Sequence, residues 1–343
     1  MACMEKDERL HAALKREPVD RIPVALWQHF PGDDQRAESL ARAALDFQQR
    51  FDFDFIKLTP SNAHAATDWG STSVYHGNPD GLREFTDYAI RDVHDWERLK
   101  PLDVSAGMLG QQLECVRLVR RAVGSRVPIS LSVFNPLFIA KTLAGPGFIA
   151  DLRERPALVG RGLEVIGETM VAFSRQALAN GADGIFLATQ HATYDLLSRA
   201  EYEQFGRPYD LAILEAARAG WLNLLHIHAH SHLMFDLLAQ YPVAGINWHD
   251  RETWPSLSEG QRLFPGGVVG GLARFEDLVL GTPATLQEHV AAAVAQTGGR
   301  GLVIATDCVL PLTAPQGNVH AVVAAAVELG DGGQRSARSE PPR

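Results

Sequence analysis

Leu178-Ala-Asn-Gly-Ala-Asp-Gly-Ile-Phe-Leu-Ala188 is the stretch that decides the fold. An amphipathic run of helical spacing, Pro156–Ala179, ends at Asn180-Gly181, and a short apolar run, Gly184–Ala188, follows. Glycine is the expected stop at a helix C-terminus. An apolar run without alternation suits a parallel strand covered on both faces. The same order recurs at Ala219-Gly220 before Asn223–His228, and at Thr297-Gly298-Gly299 before Leu302–Ala305. Working outward, further strand-like runs are Ile22–Trp27, Phe53–Leu58, Pro128–Val133, Gly245–Trp248 and Gly267–Gly270. Helical patterns between them cover Ala37–Arg50, Leu109–Val123, Arg199–Ala219, Leu233–Gln240, Thr285–Gln296 and Val319–Leu329. Eight strands alternating with helices predict an α/β fold of the (β/α)8 TIM-barrel type. A doubly wound open sheet is the alternative, weakened by the lack of a Gly-rich loop after the first strand.

One domain over residues 1–330 is expected, and the polar Gly/Ser/Pro-rich residues 331–343 read as a disordered tail. Two segments exceed the plain barrel count. Thr67–Arg98 reads as a hairpin or cap over one mouth, and Asn135–Phe148 as an insertion after the third strand.

Hydrophobic residues are 46% of the chain, enough for a sizeable core, and the formal net charge is -9. Such a surface repels phosphate backbones and anionic lipid, so neither nucleic acid nor membrane is an expected partner. No run approaches the ~20 apolar residues of a membrane span. Met1–Arg16 is charged throughout, without the apolar core of a signal peptide, so the expected location is the cytoplasm. Three cysteines, Cys3, Cys115 and Cys308, are too few for a disulfide framework.

The densest chemical signal is Leu225-His226-Ile227-His228-Ala229-His230-Ser231-His232, at the end of a predicted strand. Residues two apart in an extended chain point the same way, so His226 and His228 can aim two imidazoles into one space. The second signal is Cys308, just past the last predicted strand. Barrel strand ends distant in sequence converge on one rim. A thiolate and two imidazoles form a sensible Zn²⁺ set, with a fourth position for water or substrate. His226, His228 and Cys308 are therefore the candidate metal ligands and catalytic residues, and His230 or Asp307 the candidate fourth or supporting group. Read alone, each of these side chains also has a bland reading as a packed core group. Cys115 reads as core. Gln28, His29, Asn135, His191, Tyr194, Asn247 and Asp250 lie at other strand ends, where such barrels place substrate contacts.

Four stretches together resemble the uroporphyrinogen decarboxylase superfamily, which includes methylcobamide:thiol methyltransferases. They are Arg16-Glu-Pro-Val-Asp-Arg-Ile-Pro-Val24; Asn180-Gly-Ala-Asp-Gly-Ile-Phe186 with Ser198-Arg-Ala-Glu-Tyr-Glu-Gln-Phe205 and Pro208-Tyr209; Gly245-Ile-Asn-Trp-His-Asp250 leading to Gly270-Gly271; and Pro311-Leu-Thr-Ala-Pro-Gln-Gly-Asn-Val319. The resemblance spans roughly residues 5 to 330 and implies a distorted (β/α)8 barrel. The porphyrinogen decarboxylases of this group carry arginines after the first strand that hold substrate carboxylates. Here that place reads Trp27-Gln-His-Phe-Pro-Gly32, with no arginine until Arg36, so a mouth poor in cations is expected. The methyltransferase branch binds zinc through His-x-Cys and a later Cys. His226-Ile-His228 and Cys308 are similar to those elements, with histidine at the middle ligand.

The resemblance thus implies a zinc-dependent methyltransferase-like enzyme, moving a methyl group between a small methylated substrate and a corrinoid or thiol. Any corrinoid is expected in trans, as a free cofactor or on a separate protein, and a homodimer is open. The alternative is a metal-assisted lyase or decarboxylase acting on a small organic acid. A non-catalytic metal- or corrinoid-binding protein is a third class, disfavoured by the polar groups at the strand ends.

Overall fold

A computed structural model describes the backbone of residues 3–337 and the side chains of residues 3–329. The expected tail over 331–343 falls on residues that lie, wholly or in their side chains, outside that set. Nine strands occur in order: β1 Ile56–Leu58, β2 Thr72–Val74, β3 Glu84–Asp87, β4 Ile129–Phe134, β5 Gly184–Thr189, β6 Leu224–Ile227, β7 Gly245–Trp248, β8 Gly267–Leu272 and β9 Leu302–Thr306. Seven form one parallel sheet in the order β1-β4-β5-β6-β7-β8-β9. Every residue of β4, β5 and β8 is buried, which is why their sequences run apolar without alternation.

The predicted first strand, Ile22–Trp27, takes the eighth position without forming a regular ladder. Its ladder contact is one parallel bridge, Val24 to Ile304 of β9. On its other side Asp54 N donates to Val24 O at 2.8 Å. The buried Asp54 carboxylate ties this seam, accepting from Val24 N, Arg9 and Arg21. Proline at position 23 removes one donor from the segment, which limits its pairing. The sheet therefore curls into a distorted barrel, closed by two backbone hydrogen bonds to Ile304 on one side of Val24 and one from Asp54 N on the other. The motif Arg16–Val24 builds this closure: Asp20 takes the Arg9 guanidinium, and Arg16 reaches the carbonyls of Gln261, Phe264 and Gly266.

Long helices cover the outside much as the sequence predicts. The expected helix Arg199–Ala219 is instead two, Arg199–Phe205 and Arg207–Ala216, hinged at Gly206 just ahead of Pro208. Pro208 sits in the first turn of the second helix, where its missing N–H costs nothing. Leu233–Gln240 contracts to the single turn Phe235–Leu238.

The two extra segments both cap one mouth. Thr67–Arg98 contains the antiparallel hairpin β2–β3. Pro136–Ala144 is a helix started by Asn135, whose side-chain oxygen accepts from Phe138 N. The hairpin turn packs closely on the barrel: a Cβ at Gly81, which has φ +75°, would sit 2.6 Å from His29 Cβ. Only glycine meets both demands.

Candidate metal centre and active site

The register of β6 and β7 builds the centre. His226 pairs with Asn247 and Ile227 with Trp248, so the next residues, His228 and His249, emerge side by side at the C-terminal rim. Cys308 arrives from the end of β9, where Thr306 Oγ1 donates to the Cys308 carbonyl. Around His228 Nδ1 lie His226 Nε2 at 3.3 Å, His249 Nε2 at 3.3 Å and Cys308 Sγ at 3.5 Å. One donor atom from each of the four side chains falls within 4.8 Å of all the others. Two ligands of one tetrahedral zinc, with bonds of ~2.0–2.3 Å, stand roughly 3.3–3.6 Å apart. The donor spacing and the soft thiol both fit a zinc ion.

Asn247 fixes the tautomer of His226. Its Oδ1 lies 2.6 Å from His226 Nδ1, while its Nδ2 donates to the carbonyls of Val269 and Thr306. An amide already donating to two carbonyls turns its oxygen to the ring, so Nδ1 carries the proton and Nε2 faces the centre. Burial then pushes the His226 imidazole down to about 4, against the pull of the Cys308 thiolate, so the ring is neutral and able to bind a metal. Burial alone would raise the Cys308 thiol. His228, His226 and His249 outweigh it and hold the thiol well below its usual range. His249 is raised to about 10: burial opposes the proton, but Asp307 and Cys308 hold it.

The centre lies in the wall of a cavity of about 640 Å³ between barrel mouth, hairpin and helix Pro136–Ala144. That is the size of a small-molecule site. Trp27, Phe134, Phe138 and Phe186 give it apolar walls. The expected shortage of cations is corrected by the structure. Lys57, Arg83, Lys141 and Arg274 all line the cavity, brought from β1, the hairpin, the 136–144 helix and the β8 loop rather than from the first strand. Arg83 is tied to Asp34 at 2.8 Å and Arg274 to Asp80 at 3.0 Å. Lys57 has no acidic partner. Its Nζ stands 4.6 Å from the Phe186 ring centre and 5.3 Å from that of Trp27, and burial pushes it down to about 7.

Of the expected substrate contacts, His29 lines the cavity, buried beneath the hairpin and pushed down to about 4 by burial. The other six lie outside the lining, each for a local reason. Gln28 follows Trp27 and, by alternation, faces the opposite side toward Phe47 and Phe53. Asn135 is consumed as the helix cap. His191 is buried edge-on against Phe148. Tyr194 is about half exposed on the outer surface. Asn247 is buried behind His226. Asp250 turns back to accept from Gly271 N.

His230 does not join the first cluster. The strand ends at Ile227, and His230 swings outward to Glu252. Asp307 stands behind His249, its Oδ2 3.3 Å from Nδ1. His249 was not among the expected ligands. Its signal was present, since Asn247-x-His249 repeats the spacing of His226-x-His228 on the next strand.

A parallel barrel with polar side chains gathered at the C-terminal ends of its strands, around one small-molecule cavity, defines a class of barrel enzyme. The chain belongs to the uroporphyrinogen decarboxylase (URO-D) family, whose model matches residues 5–329. It is similar to methylcobamide:CoM methyltransferase MtaA of Methanosarcina barkeri, 27% identical over 335 residues, covering 92% of this chain and 96% of the relative. It is also similar to methylcobamide:CoM methyltransferase MtbA of Methanosarcina acetivorans, 23% identical over 298 residues, covering 82% and 86%. Among solved structures a methyltransferase from Methanosarcina mazei superposes with TM-score 0.83 at 21% identity, covering 95% of this chain and 99% of that one. That likeness shows the barrel fold. No helix among the described residues is long and apolar enough to cross a membrane.

Proposed function

We propose that this chain is a zinc-dependent methyltransferase, moving a methyl group between a small methylated substrate and a corrinoid or thiol. The observation that carries the proposal is the convergence of His226, His228, His249 and Cys308 at ligand spacing, with His226, His228 and Cys308 in the wall of the cavity. The similarity to corrinoid-using methyltransferases supports the same reading. His226, His228 and Cys308 would hold the ion, and His249 would be a fourth donor that yields its place, or shares an expanded coordination, when substrate enters. A zinc ion there would supply a Lewis acid that keeps a substrate thiol in its nucleophilic thiolate form. Asn247 orients His226, and Asp307 stands behind His249. Trp27, Phe134 and Phe186 exclude water from the reacting groups. The corrinoid would be supplied in trans, free or on a separate protein.

The unpaired Lys57 favours a second reading, a metal-assisted lyase or decarboxylase acting on a small organic acid. One pair of assays separates the two. Purified protein loaded with zinc is given methylcobalamin and a panel of thiols, and loss of methylcobalamin absorbance is followed. Small acids and uroporphyrinogen are tested for release of carbon dioxide. Methyl transfer that disappears on chelation supports the proposal. Zinc-dependent carbon dioxide release without methyl transfer refutes it in favour of the second reading. Uroporphyrinogen is expected to remain unconverted, because two of the four cavity cations are already tied to Asp34 and Asp80.

A further inference from the structure

His249 presents a nitrogen to each of two spaces. Its Nε2 faces the centre just described, and its Nδ1 faces a second cluster on the other side. There Asp307 Oδ2 stands 3.3 Å from Nδ1 and Glu252 Oε2 stands 3.4 Å from it. His230 Nδ1 lies 2.8 Å from the same Glu252 oxygen, and its ring centre is 4.5 Å from that of His249. One donor atom each from His230, His249 and Glu252 falls within 4.8 Å of the others. His249 and Asp307 are fully buried, yet His249 Nδ1 and Asp307 Oδ2 have no hydrogen-bond partner.

If the carboxylates only steadied the imidazole, Nδ1–H would draw one oxygen to roughly 2.7–2.9 Å. Instead two oxygens from different residues stand at nearly equal, longer distances. That is about the separation of neighbouring ligands around one ion with bonds of ~2.0–2.2 Å. A buried carboxylate oxygen without a partner is costly, and a cation beside it removes the cost. Asp307 Oδ1 is already occupied by Arg274 N, which leaves Oδ2 as the free donor.

We infer that a second divalent cation binds here, held by His230, Glu252 and Nδ1 of His249, with the buried Asp307 carboxylate beside it, so that His249 bridges two ions. The donors are mixed imidazole and carboxylate, which suits a first-row divalent ion such as zinc, manganese or cobalt. The side chains of His230 and Glu252 are 58% and 30% exposed, so water completes the coordination from outside. Bridging requires an imidazolate. The Nδ1 proton therefore leaves to solvent as the second ion binds, one proton for each ion. The shared ring, as an imidazolate, is a stronger donor to the first ion than a neutral imidazole and tempers it as a Lewis acid. The inference shares His249 with the proposed zinc centre and so rests on that centre being filled.

Cobalt(II) is the probe, added stepwise to full-length protein stripped of metal. The first equivalent is expected to bring a thiolate-to-cobalt charge-transfer band from Cys308. A second equivalent is expected to bind without adding to that band, with release of one proton. Glu252→Gln and His230→Ala, both at partly open positions, should each reduce binding to one equivalent and leave the band unchanged. A band that saturates at one equivalent, with total binding of one that neither substitution alters, overturns the second site and leaves the proposed function standing. Absence of any thiolate band overturns both.

Discussion

Asn247→Ala tests whether the centre depends on the group behind it. The wild-type amide accepts from His226 and donates to the carbonyls of Val269 and Thr306, all out of contact with water. Removing it vacates room for about one water, whose share of liquid volume is ~30 Å³. That water can pair both carbonyls again, so the fold loses about 1–3 kcal/mol rather than the full desolvation of three groups. A water can also turn either a proton or a lone pair toward His226 Nδ1. The ring then ceases to be held as the tautomer with Nε2 free, and metal affinity should fall ~10–100-fold. This is about 1.4–2.7 kcal/mol, with His226, His228, His249 and Cys308 all retained. The assay is competition for zinc against a chromophoric chelator, with thermal melts of metal-free protein alongside. Asn318→Ala is the control: its buried amide donates to Leu278 O and Gly281 O, away from the centre. It should cost similar stability and leave affinity unchanged. If Asn247→Ala lowers stability but holds zinc like wild type, Asn247 is a strut between strands and the tautomer argument fails.

Cys308→Ala should abolish metal retention at the first centre with little change in melting temperature, because Cys308 sits on a rim loop. Cys115→Ala should keep the metal and cost about 1–2 kcal/mol, since it truncates a core side chain. In metal-free protein iodoacetamide should reach Cys308 before Cys115. Cys115 is pushed up to about 12 by burial, with Glu114 adding to it, and has almost no thiolate. Lys57→Met removes a buried charge without an acidic partner. Thermal melts should show stability held or raised, while the KM of any acid-bearing substrate rises ~10-fold or more. An unchanged KM would place the acid group elsewhere. Asp210 is buried between the hydroxyls of Tyr202 and Tyr241 at 2.7 and 2.9 Å, and burial raises it to about 6 despite those donors. The native state then holds this proton between about pH 4 and 6 where the unfolded chain has lost it. Stability falls as pH rises through that window, by roughly 3 kcal/mol. Asp210→Asn should flatten this slope in denaturant titrations, and an unaltered slope would refute the assignment.

The eight strand positions were legible because parallel strands buried on both faces leave a local signature: runs such as Gly184–Thr189 and Gly267–Leu272 need no distant partner to be recognised. The departure at Ile22–Trp27 was only partly legible: the segment is apolar enough to be a strand, Pro23 removes one donor, and the seam through Asp54 exists only in the folded chain. At the site, His226, His228 and Cys308 could be read from alternation and strand-end position. His249 needed the register between β6 and β7, a property of two segments about twenty residues apart. The cavity cations needed still more. Lys57, Arg83, Lys141 and Arg274 come from four separate elements, and expecting a cap over Thr67–Arg98 does not tell which side chains it turns into the cavity. The six expected contacts that turn away share one cause. Strand-end position brings a residue to the rim, but the next hydrogen bond decides which way it faces: Asn135 to its helix, Asp250 to Gly271.

The ligand set bears on which chemistry the cavity can support. With zinc at the proposed centre and the second position empty, one thiolate and three neutral imidazoles would leave that centre with a net charge of +1. Two thiolates would leave it neutral. The cationic centre binds an incoming thiolate more readily and lowers a thiol's pKa further, but it also withholds more electron density from the sulfur it has activated. Methyl transfer therefore gains in thiol ionisation what it loses in nucleophilicity. Polarisation of a carbonyl or carboxylate has only the gain. Lys57 adds a second positive charge to the cavity wall near neutral pH, between the rings of Trp27 and Phe186. A thiol that also carries an acid group meets both demands at once: sulfur at the imidazole–thiolate centre and the anion at Lys57. A neutral thiol leaves the lysine charge buried without a partner, a state that costs energy. On this ground the thiol panel should rank acid-bearing members above neutral ones of equal size. Salt should narrow the gap little, because a buried pair is screened far less than an exposed one.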